Sequence, residues 1–296
     1  MIITNLFFPI LLVSVSAKPF VKLFDPFGTL ENIAKVSFGV MGKVAEASFG
    51  GRSPFQIVDH VLKTPGMIEG VMDGTLMDNL NVGRTSGVIF LHGAGPFSTI
   101  KAGCQFFGPA VGLSMLKNKM SCPVASPLGN SQVWRSWFID ETEEDLNKAM
   151  MQVEEEIRKM KQEGIPSENI VLAGASQGGA VALYTAMHTQ YKLGGFIPII
   201  TWLPRLQYED RNPINKGTPI FHLNGADDTT MPHKGATTMK QVFTNYQFKI
   251  TAGNHLTTLI DPVNHSKIYC WLKKNVPNMA FSTISHQQFV PCDFLE

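Results

Sequence analysis

The chain has 296 residues, 44% hydrophobic and 17% charged, which is ample for a buried core and excludes a disordered polymer. Its 25 Lys and Arg against 24 Asp and Glu leave a net charge of +1, and no basic run offers an electrostatic footprint for nucleic acid. Four cysteines with no C-x-x-C pair exclude a disulfide-dense miniprotein and argue against a zinc or dithiol redox motif.

Residues 1–17 read MIITNLFFPILLVSVSA. The apolar run from Leu6 to Val15 is too short to span a bilayer and suits the core of a secretory signal, with small residues at Val15-Ser16-Ala17 for cleavage. A secreted protein is expected; because no Lys or Arg precedes the run, a buried N-terminal strand and cytoplasmic residence form the alternative. In an oxidising compartment Cys270 and Cys292, the nearest pair in sequence, could bridge, while Cys104 and Cys122 are expected as buried thiols. Asn264-His265-Ser266 is then a glycosylation sequon. No later apolar run reaches the ~18 residues that a membrane helix needs.

Residues 18–80 are rich in Phe, Gly and Met and carry no catalytic pattern. Apolar residues between Leu30 and Gly50 fall at helical spacing broken by glycine, which predicts one or two short amphipathic helices. This N-terminal extension is expected to pack on the body of the protein; a peripheral contact with a lipid interface and a lid over the site are the competing readings.

From Gly87 the chain alternates strand and helix signals. Val88–Leu91 and Ile170–Ala173 are short apolar runs suited to buried parallel strands, and Cys122-Pro-Val-Ala opens a third apolar run. Thr142 with Asp145 resembles a capping box, with Leu146, Met150, Val153, Ile157 and Met160 after it at helical spacing and Gly164 and Pro166 as the stop. Further strands are expected at Phe196–Ile200, Pro219–Leu223 and Tyr246–Ile250. This alternation predicts an α/β protein with a mainly parallel sheet covered by helices on both faces. The division expected is a signal at 1–17, an extension at 18–80 and one catalytic domain at 81–296.

Gly174-Ala175-Ser176-Gln177-Gly178 is a G-x-S-x-G motif between a strand and a helix, where a sharp turn lifts a serine oxygen beside a helix N-terminus. A serine nucleophile needs a base, and the base an orienting acid, in the chain order Ser, acid, His. The strand ending at Leu223 runs into Asp227-Asp228, either of which could be the acid, and the last strand runs into Gly253-Asn254-His255, a loop histidine placed to be the base. His233 and His265 lie at a helix start or in a helix, and His92 is better placed to brace loops than to abstract a proton. Oxyanion donors are expected at the backbone N–H groups of Ala94 and Gln177. A phosphate loop is excluded, because Walker spacing and its Lys-Ser/Thr pair are absent.

The run Gly164–Ala180, Leu183-Tyr184-Thr185, Trp202-Leu203-Pro204, Val88–Gly93, Ser136-Trp137-Phe138 and Gly253-Asn254-His255 resembles the acyl-protein thioesterase/lysophospholipase family of α/β hydrolases over roughly residues 85–276. The resemblance implies Ser176 as nucleophile, Asp228 as acid, His255 as base, and Ala94 and Gln177 as oxyanion donors. It implies an α/β-hydrolase fold and no cofactor. Its substrates would be thioesters of palmitoylated cysteines, lysophospholipids or small carboxylic esters. Trp137, Phe138, Trp202 and Leu203 are the residues expected to line an acyl site. One departure stands out: the family's loop reads Leu-His-Gly-Leu-Gly-Asp, whereas this chain has Ala94 and then Pro96 in place of the aspartate.

Overall fold

The computed structural model describes residues 83–96, 107–115, 117–130, 133–204, 212–230, 236–282 and 290–294. The expected signal segment, the amphipathic stretch between residues 30 and 50, Cys104 and His233 lie outside them.

Strands β1 (Ser86–Leu91), β3 (Asn118–Ser121), β5 (Ile170–Ala175), β6 (Gly195–Ile199), β7 (Ile220–Gly225) and β8 (Tyr246–Thr251) form one sheet in the order β3-β1-β5-β6-β7-β8, every pair parallel. The central strands are buried at every position, which is why they read as unbroken apolar runs rather than alternating ones. Their side chains still alternate between faces. Ile89, Leu91, Ile170 and Leu172 join one core layer, and Val88, Phe90, Val171 and Ala173 join the other.

Helix α1 (Glu143–Gln162) covers the first face with Leu146, Ala149, Val153, Ile157 and Met160. Thr142 caps it by accepting the Asp145 N–H at 3.2 Å, acidic residues fill its first turn and Lys159 and Lys161 its last, so side-chain charge opposes the helix dipole at both ends. Gly164, at φ 89°, turns the chain off the helix as expected. Helix α2 (Gln177–His188) lies on the same face and is almost wholly buried, and α5 (Pro262–Asn275) covers the opposite face through Ile268, Trp271 and Leu272. Between them in sequence run α3 (Ala236–Val242) and α4 (Thr257–Ile260). A two-residue antiparallel ribbon joins β2 (Gly95–Pro96) to β4 (Trp134–Arg135). No helix among the described residues is long and apolar enough to cross a membrane.

Three expectations are corrected here. The strand expected at Cys122 lies earlier, over Asn118–Ser121, because Pro123 has no N–H to continue a parallel ladder. Cys122 is not a buried thiol; it is half-buried and disulfide-bonded. The Asn264 sequon is closed to glycosylation in the folded chain. Its side chain is fully buried in the first turn of α5, donating to Thr258 O at 3.0 Å and accepting from Thr251 Oγ1 at 2.8 Å.

Cys270 and Cys292 are bridged, with Cα atoms 5.5 Å apart, tying α5 to the segment at residues 290–294. Closing a loop with a sequence separation of 22 should contribute about 3 kcal/mol by restricting the unfolded chain. The double replacement of Cys270 and Cys292 by Ser is expected to lose about that much in urea unfolding. A loss under about 0.5 kcal/mol would show that the bridge constrains nothing that folding must order.

Candidate active site

The site begins with backbone geometry. β5 carries the chain straight to Ala175, and α2 starts at Gln177, so Ser176 alone makes the reversal and adopts φ 52°, ψ −120°. Such a conformation costs a non-glycine residue of order 1–3 kcal/mol, and packing must hold it. The motif's glycines permit that packing. A Cβ on Gly174 would come within 2.5 Å of Gly178 C, and one on Gly178 would come within 2.5 Å of His92 O and overlap Leu91 O. The turn therefore sits directly on its own helix and on the end of β1. The Ser176 N–H donates to Ile199 O at 2.9 Å, and its side chain makes no capping bond, so Oγ is free of the helix terminus.

His255 comes from the loop after β8. Gly253, at φ 116°, turns the chain, and Asn254 staples the next turn: its Oδ1 accepts the N–H groups of Leu256 at 3.1 Å and Thr257 at 3.0 Å. The loop carrying the aspartates is sewn to it. Ala226 N–H donates to Thr251 O at 2.7 Å and Asp227 N–H to Gly253 O at 3.0 Å, while a Cβ on Gly225 would overlap Gly253 O. This close approach presents Asp228 inward and leaves Asp227 exposed.

The Asp228 side chain is fully buried, and its Oδ2 accepts from His255 Nδ1 at 2.8 Å; its Oδ1 accepts the Thr230 N–H at 3.0 Å. With Nδ1 donating to the carboxylate, His255 Nε2 presents its lone pair to Ser176 Oγ, 3.0 Å away. Ser176, His255 and Asp228, separated by up to 79 residues, thus form one continuous hydrogen-bonded line.

The loop after β1 lies against the serine: a Cβ on Gly93 would be 3.2 Å from Ser176 Cβ. His92 braces this loop, as expected. Its Nδ1 donates to Gly93 O at 2.7 Å, its Nε2 accepts the Ala125 N–H at 3.0 Å, and burial pushes its pKa below the ordinary histidine value, so the ring is neutral. Trp137 Nε1 donates to His92 O at 2.7 Å. Ala94 is exposed at the tip of the loop, next to the β2–β4 ribbon that ties Gly95–Pro96 to Trp134–Arg135.

Gln177 has a role beyond its backbone that the motif did not reveal. Its buried side chain accepts the Trp137 N–H at 2.7 Å and donates to Phe138 O at 2.8 Å, fixing the segment that carries both aromatics. As the first residue of α2, its own N–H lies ahead of any intrahelical acceptor. Phe138 packs edge-on against Trp202 with centroids 6.1 Å apart, and Trp202 Nε1 donates to Glu141 Oε1 at 2.7 Å. Trp137 and Phe138 are buried, whereas Trp202 and Leu203 are half-buried beside them. His265, a competing histidine, is in α5 with its Nε2 donating to Leu259 O at 2.8 Å.

Known proteins share this arrangement's framework. Acyl-protein thioesterase 1 of Eremothecium gossypii is 34% identical over 140 residues, covering 45% of this chain and 56% of the relative. Acyl-protein thioesterase 1 of Saccharomyces cerevisiae is 29% identical over 136 residues, covering 43% and 60%. The chain spans about half the length of the curated relatives it matches. Among solved structures, Arabidopsis thaliana SOBER1 superposes with a TM-score of 0.54 at 24% identity, covering 65% of this chain and 99% of that one, which establishes a shared fold. The family model described as phospholipase/carboxylesterase matches residues 81–272. The chain belongs to the phospholipase/carboxylesterase family of α/β hydrolases.

Proposed function

We propose that residues 81–296 form a serine hydrolase that cleaves acyl thioesters and carboxylic esters through an acyl-enzyme. The observation that carries this reading is His255 bridging Ser176 Oγ at 3.0 Å and Asp228 Oδ2 at 2.8 Å. In the proposed cycle, His255 Nε2 takes the Ser176 proton as Oγ attacks the acyl carbon, and Asp228 stabilises the imidazolium. The backbone N–H groups of Ala94 and Gln177 receive the developing oxyanion at the N-terminus of α2. Collapse breaks the carbon–sulfur or carbon–oxygen bond, with His255 returning the proton to the leaving thiol or alcohol. Water, activated by the same histidine, then attacks the acyl-serine and releases the carboxylic acid. The cycle needs no cofactor.

Thioester cleavage of lipidated proteins is the preferred substrate reading, supported by the acyl-protein thioesterases the chain resembles. The second reading, a lysophospholipase or general carboxylesterase, is supported by the description of the family itself. A palmitoyl-thioester peptide and lysophosphatidylcholine, assayed in parallel on the full chain, separate the two by their kcat/KM. Absence of fluorophosphonate labelling at Ser176 would reject both. The Cys270–Cys292 bridge and the disulfide at Cys122 support residence in an oxidising compartment, where the substrates would be lipids, extracellular esters or luminal proteins.

The acyl chain is proposed to lie along Phe138, Trp202 and Leu203, with Trp137 holding the loop behind them. Trp202→Ala is expected to raise KM about tenfold for a long-chain ester and little for acetate, since only the long chain reaches the lost apolar surface. Equal losses on both substrates would instead assign Trp202 to general packing.

A further inference from the structure

Four polar side chains line the core layer that α1 and α2 share with the sheet: Tyr246, His222, Asn224 and Thr201, all nearly or fully buried. Apolar residues would fill this layer at lower desolvation cost, so buried polar groups here need both complete pairing and a reason to be present. The pairing is continuous from Tyr246 to Ser176. His222 Nε2 lies 3.2 Å from Asn224 Oδ1, which can only accept, so Nε2 carries the proton and Nδ1 accepts from the Tyr246 hydroxyl at 2.6 Å. Burial pushes the Tyr246 pKa upward, keeping that hydroxyl a donor. Asn224 then grips the backbone of Thr201 at both ends, accepting its N–H at 3.0 Å and donating Nδ2–H to its carbonyl at 3.2 Å. Thr201 Oγ1 finally donates to the carbonyl of Ser176 at 2.7 Å.

The thread ends at strained backbone. Ser176 at φ 52° and Ile200 at φ 47° are the non-glycine residues with positive φ among the described ones, and Thr201 touches both. Thr201 also occupies the space a side chain at position 179 would need: a Cβ on Gly179 would be 2.7 Å from Thr201 Cβ. Thr201 is thus a wedge between the strained end of β6 and the first turn of α2.

We infer that Tyr246, His222, Asn224 and Thr201 are positioning residues that hold the nucleophile turn in its strained conformation through a buried hydrogen-bond thread ending on the Ser176 carbonyl. This rests on the hydrolase reading above. None of the four touches Oγ, so the thread acts by keeping Oγ in line with His255 Nε2. Its loss should slow the chemical step while leaving substrate binding unchanged.

The test uses Thr201→Val, Thr201→Ser and Tyr246→Phe in the full chain. Three quantities are measured: the second-order rate of fluorophosphonate modification of Ser176, kcat and KM on a short soluble ester, and the thermal midpoint. Thr201→Val keeps the wedge's shape but removes the donor. It is expected to slow labelling and kcat about tenfold with KM within about twofold, the scale of one lost buried hydrogen bond. Thr201→Ser should restore both rates to within about twofold. Tyr246→Phe, a site remote from the cleft that retains its ring packing, should slow labelling about threefold. A Thr201→Val protein labelled at the parent rate, a Thr201→Ser protein no faster than Thr201→Val, or a folded Tyr246→Phe protein labelled at the parent rate overturns the inference. Should Thr201→Val fail to fold, the Tyr246→Phe labelling rate still decides it. Failure to label Ser176 in the unaltered protein rejects the hydrolase reading itself, whereas equal labelling of parent and variants rejects only the thread.

Discussion

Ser176→Ala and His255→Ala are each expected to lower kcat by about 10⁴-fold or more while leaving the unfolding midpoint nearly unchanged. In the proposed cycle these residues act as a unit, so removing one disables both. The folding cost should be small because neither side chain supports the core: the Ser176 side chain makes no capping bond, and the His255 side chain is 29% exposed. The aspartate pair gives a sharper discrimination. Asp228→Asn keeps the side chain's shape, but an amide turned to donate no longer selects the Nδ1–H tautomer of His255, so a loss of about 10⁴-fold is expected. Asp227→Asn alters an exposed side chain and should cost less than about threefold. The measurement is single-turnover acylation with a chromogenic ester. If the Asp227 variant proves the more damaged of the two, the assignment of the acid is wrong.

The second large effect concerns folding. Gly178→Ala is expected to destabilise the protein by at least about 3 kcal/mol, or to prevent soluble expression, because the added methyl meets the backbone carbonyls of Leu91 and His92. Neither carbonyl can retreat cheaply: Leu91 ends a central strand, and His92 O already accepts the Trp137 indole N–H. Gly164→Ala is the control. Gly164 has φ 89° but nothing within 4 Å of the position where a Cβ would stand, so it isolates backbone strain without overlap and should cost about 1 kcal/mol. Urea unfolding of both variants compares the two. A Gly178→Ala protein as stable as Gly164→Ala would mean that α2 can move away from β1, contrary to the tight seat inferred for the nucleophile turn.

The α/β layering could be read from one dimension, because a parallel strand covered on both faces must be apolar at every position. β1, β5, β6 and β7 therefore announce themselves. β3 does not: Asn118–Ser121 is a mostly half-buried edge strand in which only Met120 is apolar, and Cys122-Pro123 beyond it offers a more apolar but unpairable run. Boundaries moved for similar reasons. The strand expected to end at Ile200 ends at Ile199, because Ile200 leaves extended geometry at φ 47°.

The turn at Ser176 and the glycines around it were legible, since such a turn needs small residues at fixed offsets and short-range sterics act within a few residues. Asp227 and Asp228 were indistinguishable by pattern alone. Their difference arises only when Gly225 meets Gly253 and the two loops lock, turning one carboxylate to His255 and the other to solvent. Burial likewise overruled the sequon at Asn264, and contacts between distant segments gave Gln177 and Thr201 tasks their own neighbourhoods do not indicate. Sequence alone determined the strand–helix rhythm and the placing of Ser176 on a turn between strand and helix, because periodicity and turn sterics are local. Tertiary structure alone decided which aspartate faces the histidine and which buried polar groups meet the turn, because hydrogen bonds join residues that the chain keeps far apart.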